Sequence, residues 1–216
     1  MKALILVGLQ SDFLTGPMAV PGGETLIPLA NELQGAFRLV VATQQWHPAN
    51  HLSFALSHRG RVVGERVRVA RVEQVLKPVH CVQNTRGAEL SPALNMTRVN
   101  KVIRIGIDPD IDDFSGFFDG DHRHPTGLSD YLHEKKASSV YLMGLATELA
   151  VQATALDAVG LGFKTWLVLD GCRPADPNPE VTRLAVEALQ EAGVKLAQSA
   201  DLIRPRIPRQ PPAVRR

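Results

Sequence analysis

The stretch VYLMGLATELAVQATALDAVG, residues 140–160, decides the fold. Val140 to Met143 are β-branched, aromatic or aliphatic, which suits a strand in the interior of a sheet. From Glu148 to Val159 the apolar residues take helical spacing instead. Only Gly144 to Thr147 separates the two patterns, so the chain runs from a strand through a tight turn into a helix. The same alternation recurs on both sides. Strands are predicted at Ala3 to Val7, Leu39 to Ala42, Val102 to Arg104, Thr165 to Leu169 and Lys195 to Ala197. Helical spacing occupies Glu24 to Gln34, Gly127 to Glu134 and Pro179 to Ala192. In the last of these Val181, Leu184, Ala185, Ala188 and Leu189 share one stripe, and Gly193 supplies a stop. Short strands alternating with helices define an α/β domain with a parallel sheet covered on both faces. No repeat or linker interrupts residues 1–203, which form one domain.

Composition agrees with a globular reading. The chain has 216 residues, 44% hydrophobic, 21% charged and 5% aromatic. Two cysteines, Cys81 and Cys172, exclude a disulfide framework and a four-cysteine zinc module. MKALILVGL is too short an apolar run for a signal peptide, and no stretch is long enough to span a membrane, so a cytoplasmic protein is expected. The formal charge of +2 is unevenly placed. RPRIPRQPPAVRR, residues 204–216, holds five arginines; without them 19 basic residues face 22 acidic ones. Four prolines and no apolar periodicity make this tail a disordered, solubilising terminus, with nucleic acid or an acidic partner as the alternative contact. Residues 59–77 carry a second basic stretch whose alternation predicts a surface strand or hairpin.

Doubly wound sheets keep their chemistry outside the carboxyl ends of the strands. The segments so placed are Gly8 to Phe13, Thr43 to His51, Ile105 to Phe118 and Leu145 to Ala150. In QQWHPANH, residues 44–51, His47 and His51 lie four apart, and His80 follows in LKPVHCVQN. Three neutral imidazoles can hold zinc, iron or manganese with positions left open for water; each can equally be an ordinary buried or surface histidine. Cys81 reads as a small buried hydrophobe, and His122 and His124 as loop residues. The turn into the helix at Thr147 is a place where enzymes present a nucleophile to a helix dipole and free amides. Here it offers neither cysteine nor serine, and Thr147 reads as a cap.

Taken together, ALILVGLQSDFLTGPMAVPGGETLIPLAN, QQWHPANHLSF, KPVHCVQNTRGAEL, FSGFFD, GLSDYLHEKKASSVYLMGLATELAVQATALDAVGLGF and LVLDGCRP resemble the isochorismatase-like cysteine hydrolases, and among them the bacterial nicotinamidase/pyrazinamidase group. The resemblance spans residues 2–203 and implies a three-layer α/β/α fold with a six-stranded, mostly parallel sheet. It also implies an Asp-Lys-Cys triad beside a divalent metal. Those three positions fall on Gly8 in VGLQSDF, Ile105 in RIGIDPD and Ala150 in GLATELA. None of the three can move a proton or attack a carbonyl. His47, His51 and His80 match the three histidine ligands, while Gln45 stands where a fourth, aspartate ligand is expected. Loss of that charge implies a weak or vacant divalent site, zinc being the ion least affected.

The ligand pocket implied by the resemblance contains Phe13, Lys77 in place of a tryptophan, and the Leu145 to Ala146 bond with the Ala146 and Ala150 amides as anion donors. Lys77 adds a cation, which suits an acid such as a pyridine carboxylate. The leading expectation is a nicotinamidase-like pseudoenzyme without cysteine-amidase activity. It would serve as a small-molecule binding or interaction subunit, as a homo-oligomer or beside an active paralogue. The alternative is an amide hydrolase using a metal-bound water with Asp12 or Glu148 as base. Asp12 also has a purely structural reading in the QSDF turn.

Overall fold

A computed structural model describes residues 1–69 and 72–203. The predicted tail, residues 204–216, lies outside the described residues.

Among the described residues eight strands and six α-helices alternate. They are β1 (Lys2–Val7), α1 (Ser11–Leu14), α2 (Leu26–Leu33), β2 (Leu39–Gln45), β3 (Arg66–Val69), β4 (Val72–Val75) and β5 (Lys101–Ile105), then α3 (Leu128–Glu134), β6 (Ser139–Leu145), α4 (Gln152–Gly160), β7 (Lys164–Arg173), α5 (Pro179–Glu191), β8 (Lys195–Ala197) and α6 (Ser199–Leu202). Six strands form one sheet in the order β5-β2-β1-β6-β7-β8, and every pairing in it is parallel. The strand order reverses between β1 and β6.

Period-2 alternation in β1 shows why both faces are covered. Ala3, Ile5 and Val7 enter one core with Val140, Leu142, Leu128 and Leu132 of α3, Ala155 and Ala158 of α4, and Leu189 of α5. Leu4 and Leu6 point the other way, against Leu26, Ile27, Ala30 and Leu33 of α2 and Met143 of β6. The three-layer α/β/α arrangement follows directly. Helix α5 starts where the Asn178 side chain accepts the Glu180 amide at 3.0 Å, with Pro179 in the first turn. Gly193 has φ +98°, as a helix stop requires.

The basic segment is a hairpin, β3 pairing antiparallel with β4. Two elements differ from expectation. The helix predicted from Glu148 begins instead as a π-helical turn, Thr147–Val151, in which Leu149 leaves helical geometry at φ −117° and ψ −107°. The Ala146 carbonyl accepts both the Leu149 and the Val151 amides, at 3.1 and 3.2 Å, which widens the turn before α4 begins. Strand β7 runs on to Arg173, because a bulge lets Gly144 pair with Cys172 after Leu142 pairs with Leu167. Among the described residues no helix is long and apolar enough to cross a membrane.

Candidate functional site

The carboxyl ends of β5, β2, β1 and β6 lie level because Ile105 pairs with Gln45 and Val7 with Gly144. A cavity of about 60 Å³ opens there, at the reversal of strand order. Gly8, Ile105 and Ala150, far apart in sequence, all line it. Phe13, Lys77, Leu145 and Ala146 line it as well, together with Gln45 and His80. These nine are among the eleven residues singled out in the sequence; the other two, His47 and His51, do not line the cavity. Val7, Gln10, Met18, Val20, Thr43, Phe114, Leu149 and Ala175 complete the wall. No cysteine, serine, aspartate or glutamate is among the lining residues.

Gly8 ends β1 with φ +61°, and a Cβ built there would stand 2.8 Å from the Leu145 carbonyl oxygen. The Leu145 carbonyl at the end of β6 therefore fills the space where a side chain at position 8 would begin. Ile105 packs into the core with Ile103, Phe117 and Val151. Ala150 is buried in the turn and its carbonyl accepts the Thr154 hydroxyl at 2.6 Å. The Leu145–Ala146 peptide bond is cis.

The three histidine rings cluster, with centroids 4.2 Å apart for His47 and His51 and 5.0 Å for His47 and His80. Their nitrogens do not form a common ligand set. Among the described residues only Asp119, Asp121 and His124 bring three donor atoms within 4.8 Å of one another. Burial, followed by the neighbouring His51 and His80, holds His47 neutral with its pKa lowered to about 2. A neutral imidazole has one N–H, and Nδ1 gives it to the Gly106 carbonyl at 3.0 Å. Nε2 then accepts, so the Gln45 carboxamide 2.9 Å away turns its NH₂ toward the ring. His51 Nδ1 accepts the Ser53 amide at 3.2 Å, leaving Nε2 to donate to the Ile111 carbonyl at 3.0 Å. His80 donates from Nδ1 to the Pro78 carbonyl at 2.9 Å. Hydrogen bonds within the chain thus occupy His47 and His51 completely, and Gln45 brings no charge. This donor set does not fit a divalent ion.

Burial lowers His51 from its ordinary value and His80 to about 4. The unfolded chain, with histidines near 6.5, binds these protons first, so the contribution to stability is full above pH 6.5 and is lost as pH falls toward 4 for His80 and toward 2 for His47. Each neutral histidine removes about 1.4 kcal/mol per pH unit in that window. Urea unfolding in chelator-treated buffer is expected to show a stability loss on the order of 3–4 kcal/mol between pH 6.5 and 5. A flat profile would refute the neutral cluster.

Two charged groups depart from expectation, and a third keeps its structural reading. Lys77 is no free cation: its ammonium lies 2.6 Å from Asp112 and 4.5 Å from the Phe114 ring centroid. Asp12 accepts the Cys81 amide at 2.7 Å, the structural role its turn suggested. Glu148 Oε1 accepts the Ala175 and Asp176 amides at 2.8 and 2.7 Å. Neither proposed base faces the cavity, because each carboxylate satisfies backbone donors elsewhere. Cys81 and Cys172 are buried, and burial pushes both thiols up, Cys172 to about 12.

Sequence reasoning missed the supporting carboxylates Asp112 and Asp113. Asp113 is buried and accepts the Gly106 and Gly120 amides, both at 2.7 Å, fixing the loop after β5 that carries the His47 acceptor. The run IDPDIDDF, with four aspartates beside an apolar strand, was the available signal. Gln10 was missed too. Its carboxamide accepts the Gln45 amide at 2.7 Å and donates to the Gln45 and Ala88 carbonyls at 2.8 Å, fastening β1 to β2 beneath the cavity.

A doubly wound sheet with a cavity at its reversal point, bordered by a strand-turn-helix unit, defines a three-layer α/β scaffold with a pocket at the carboxyl ends of its strands. Residues 2–201 match the isochorismatase domain, and the chain belongs to that family. It is 39% identical over 205 residues to the nicotinamidase of Escherichia coli, covering 93% of this chain and 96% of that one. The nicotinamidase of Acinetobacter baylyi is 38% identical over 202 residues, with coverage of 93% and 94%. Among solved structures, an Acinetobacter baumanii nicotinamidase/pyrazinamidase superposes with a TM-score of 0.88 at 42% identity, covering 93% and 97% of the two chains. The yeast nicotinamidase bound to the inhibitor nicotinaldehyde gives 0.85 at 33%, covering 92% and 100%. The Pyrococcus horikoshii pyrazinamidase in complex with zinc gives 0.74 at 36%, covering 91% and 98%.

Proposed function

We propose that this nicotinamidase-like protein binds a small neutral heteroaromatic molecule without hydrolysing it. The observation that carries the reading is the cavity lining: Gly8, Ile105 and Ala150 stand where the resemblance places base, lysine and nucleophile, and no other lining residue replaces them. Thr43 brings a hydroxyl to the wall, but no carboxylate stands there beside it, and Lys77 is paired with Asp112. Relatives named for nicotinamide hydrolysis, one of them bound to nicotinaldehyde, support a pyridine ring as the ligand class.

A charged ligand is disfavoured. The Lys77 charge is already matched by Asp112, so a carboxylate would enter an apolar cavity with no unmatched cation to receive it. This reverses the preference for an acid that Lys77 suggested in the sequence. A neutral carboxamide or carbaldehyde still finds the Gln45 carboxamide and the His80 imidazole at the wall. Zinc binding, if measured, is expected to be weak, because a metal would have to break the His47 and His51 hydrogen bonds.

Calorimetric titration of purified protein tests the reading. Nicotinamide and nicotinaldehyde are expected to bind at least about tenfold more tightly than nicotinate, a gap of about 1.4 kcal/mol, with no ammonia released. Tighter binding of nicotinate, or steady release of ammonia, would overturn it.

A further inference from the structure

The cavity of about 60 Å³ is too small for its proposed occupant, since cavities that admit benzene are on the order of 150 Å³. A wall must therefore move. Leu149 and Ala175 line the cavity on its inner side and also line an open groove of about 720 Å³ on the outside, so they are the partition between the two. Leu149 sits at the kink of the π-helical turn and is 42% exposed. Ala175 belongs to the segment between β7 and α5. What joins the two sides of the partition is Glu148, whose Oε1 receives both the Ala175 and Asp176 amides. Its Oε2 is buried without a partner, so a single oxygen does all the fastening.

We propose that Glu148 is a latch: its carboxylate clamps the 174–178 segment against the Thr147–Val151 turn, and its release admits the ligand between Leu149 and Ala175. The inference rests on the reading that the cavity receives a ligand. A carboxylate accepting two amides makes a strong, short-range fastening, and because it joins a turn to a loop outside the strands it can open without disturbing the sheet. Loss of the latch raises the rates of binding and release together and changes the equilibrium constant less.

A thiol at the cavity floor reads the opening with no ligand present. In an Ala150→Cys protein the new thiol is labelled with methyl methanethiosulfonate, the thiolate displacing methanesulfinate to form a mixed disulfide. Cys81 and Cys172, buried with raised thiol pKa values, give the slow background measured on the parent chain. Adding Glu148→Ala is expected to speed labelling of position 150 at least tenfold and to accelerate amide exchange at Ala175 and Asp176. Glu148→Gln, which keeps an acceptor oxygen but no charge, is expected to give a smaller increase and carries the test should the alanine variant fail to fold. Equal labelling rates, within twofold, across the three proteins would overturn the latch. Faster labelling in a protein that binds no pyridine would sustain the latch and overturn the binding reading instead.

Discussion

Purified protein is expected to convert nicotinamide to nicotinate about a millionfold more slowly than a nicotinamidase with an intact triad, on the order of 8 kcal/mol of barrier. The reason is chemical and local. Acyl transfer needs a nucleophile, a base to deprotonate it and charge near the developing oxyanion. The cavity offers alanine, glycine and isoleucine at the three relevant positions, and the Asp12, Glu148, Asp112 and Asp113 carboxylates are bonded to Cys81, to Ala175 and Asp176, to Lys77, and to Gly106 and Gly120. Ala150→Cys alone is expected to restore no turnover, since that thiol would have no base. Adding Gly8→Asp is expected to cost stability before it gains activity, because a Cβ at position 8 meets the Leu145 carbonyl at 2.8 Å with φ +61°. Chromatographic quantitation of nicotinate checks both. Turnover by the parent chain that co-purifies with the protein and tracks its concentration would reject the non-hydrolytic reading.

Gly144→Ala is expected to leave little folded protein. Gly144 has φ +135°, and an added Cβ would fall 1.9 Å from the Val7 carbonyl oxygen, inside the pairing of β1 with β6 at the centre of the sheet. Neither strand can withdraw, because each also pairs on its other side, β1 with β2 and β6 with β7. The clash and the unfavourable φ together are expected to remove on the order of 4–5 kcal/mol, a third or more of an ordinary domain's margin of about 5–15 kcal/mol. Gly35→Ala is the control: nothing lies within 4 Å of its Cβ, and its stability is expected to change by less than about 1 kcal/mol. Urea midpoints of the two variants separate these outcomes. A Gly144→Ala protein as stable as the parent would mean that β1 and β6 are far more compliant than their pairing indicates.

Much of this architecture is legible in the sequence. Leu4 and Leu6 face one core and Ala3, Ile5 and Val7 the other because strand side chains alternate, a rule that acts residue by residue. The helical spacing from Pro179 and the Gly193 stop bounded α5 for the same local reason, while the Asn178 cap showed itself only in the structure. The turn at Thr147 was harder. Its helix-like text conceals a kink at Leu149, since one carbonyl, that of Ala146, serves two amides. Nothing in the spacing of apolar residues records which amide a carbonyl will choose.

The site divides along the same line. Residue identity at positions 8, 105 and 150 is a property of the sequence, and with it the absence of a nucleophile and base there. So is the set of histidines, whose rings do meet. Their bonding is not. His47 is committed to Gly106 and Gln45, His51 to Ser53 and Ile111, and Lys77 to Asp112, 35 positions away. Each choice depends on distances of about 3 Å between segments that only the packed sheet brings together, and on burial that makes an unpaired polar group costly. The sequence by itself determined the layered sheet, the place of the cavity and the chemistry missing from it. Tertiary structure decided that Lys77 pairs with Asp112, that the histidines bond to Gln45, Ser53 and backbone carbonyls, and that Glu148 receives the Ala175 and Asp176 amides, because hydrogen-bond partners are selected by three-dimensional proximity and not by order along the chain.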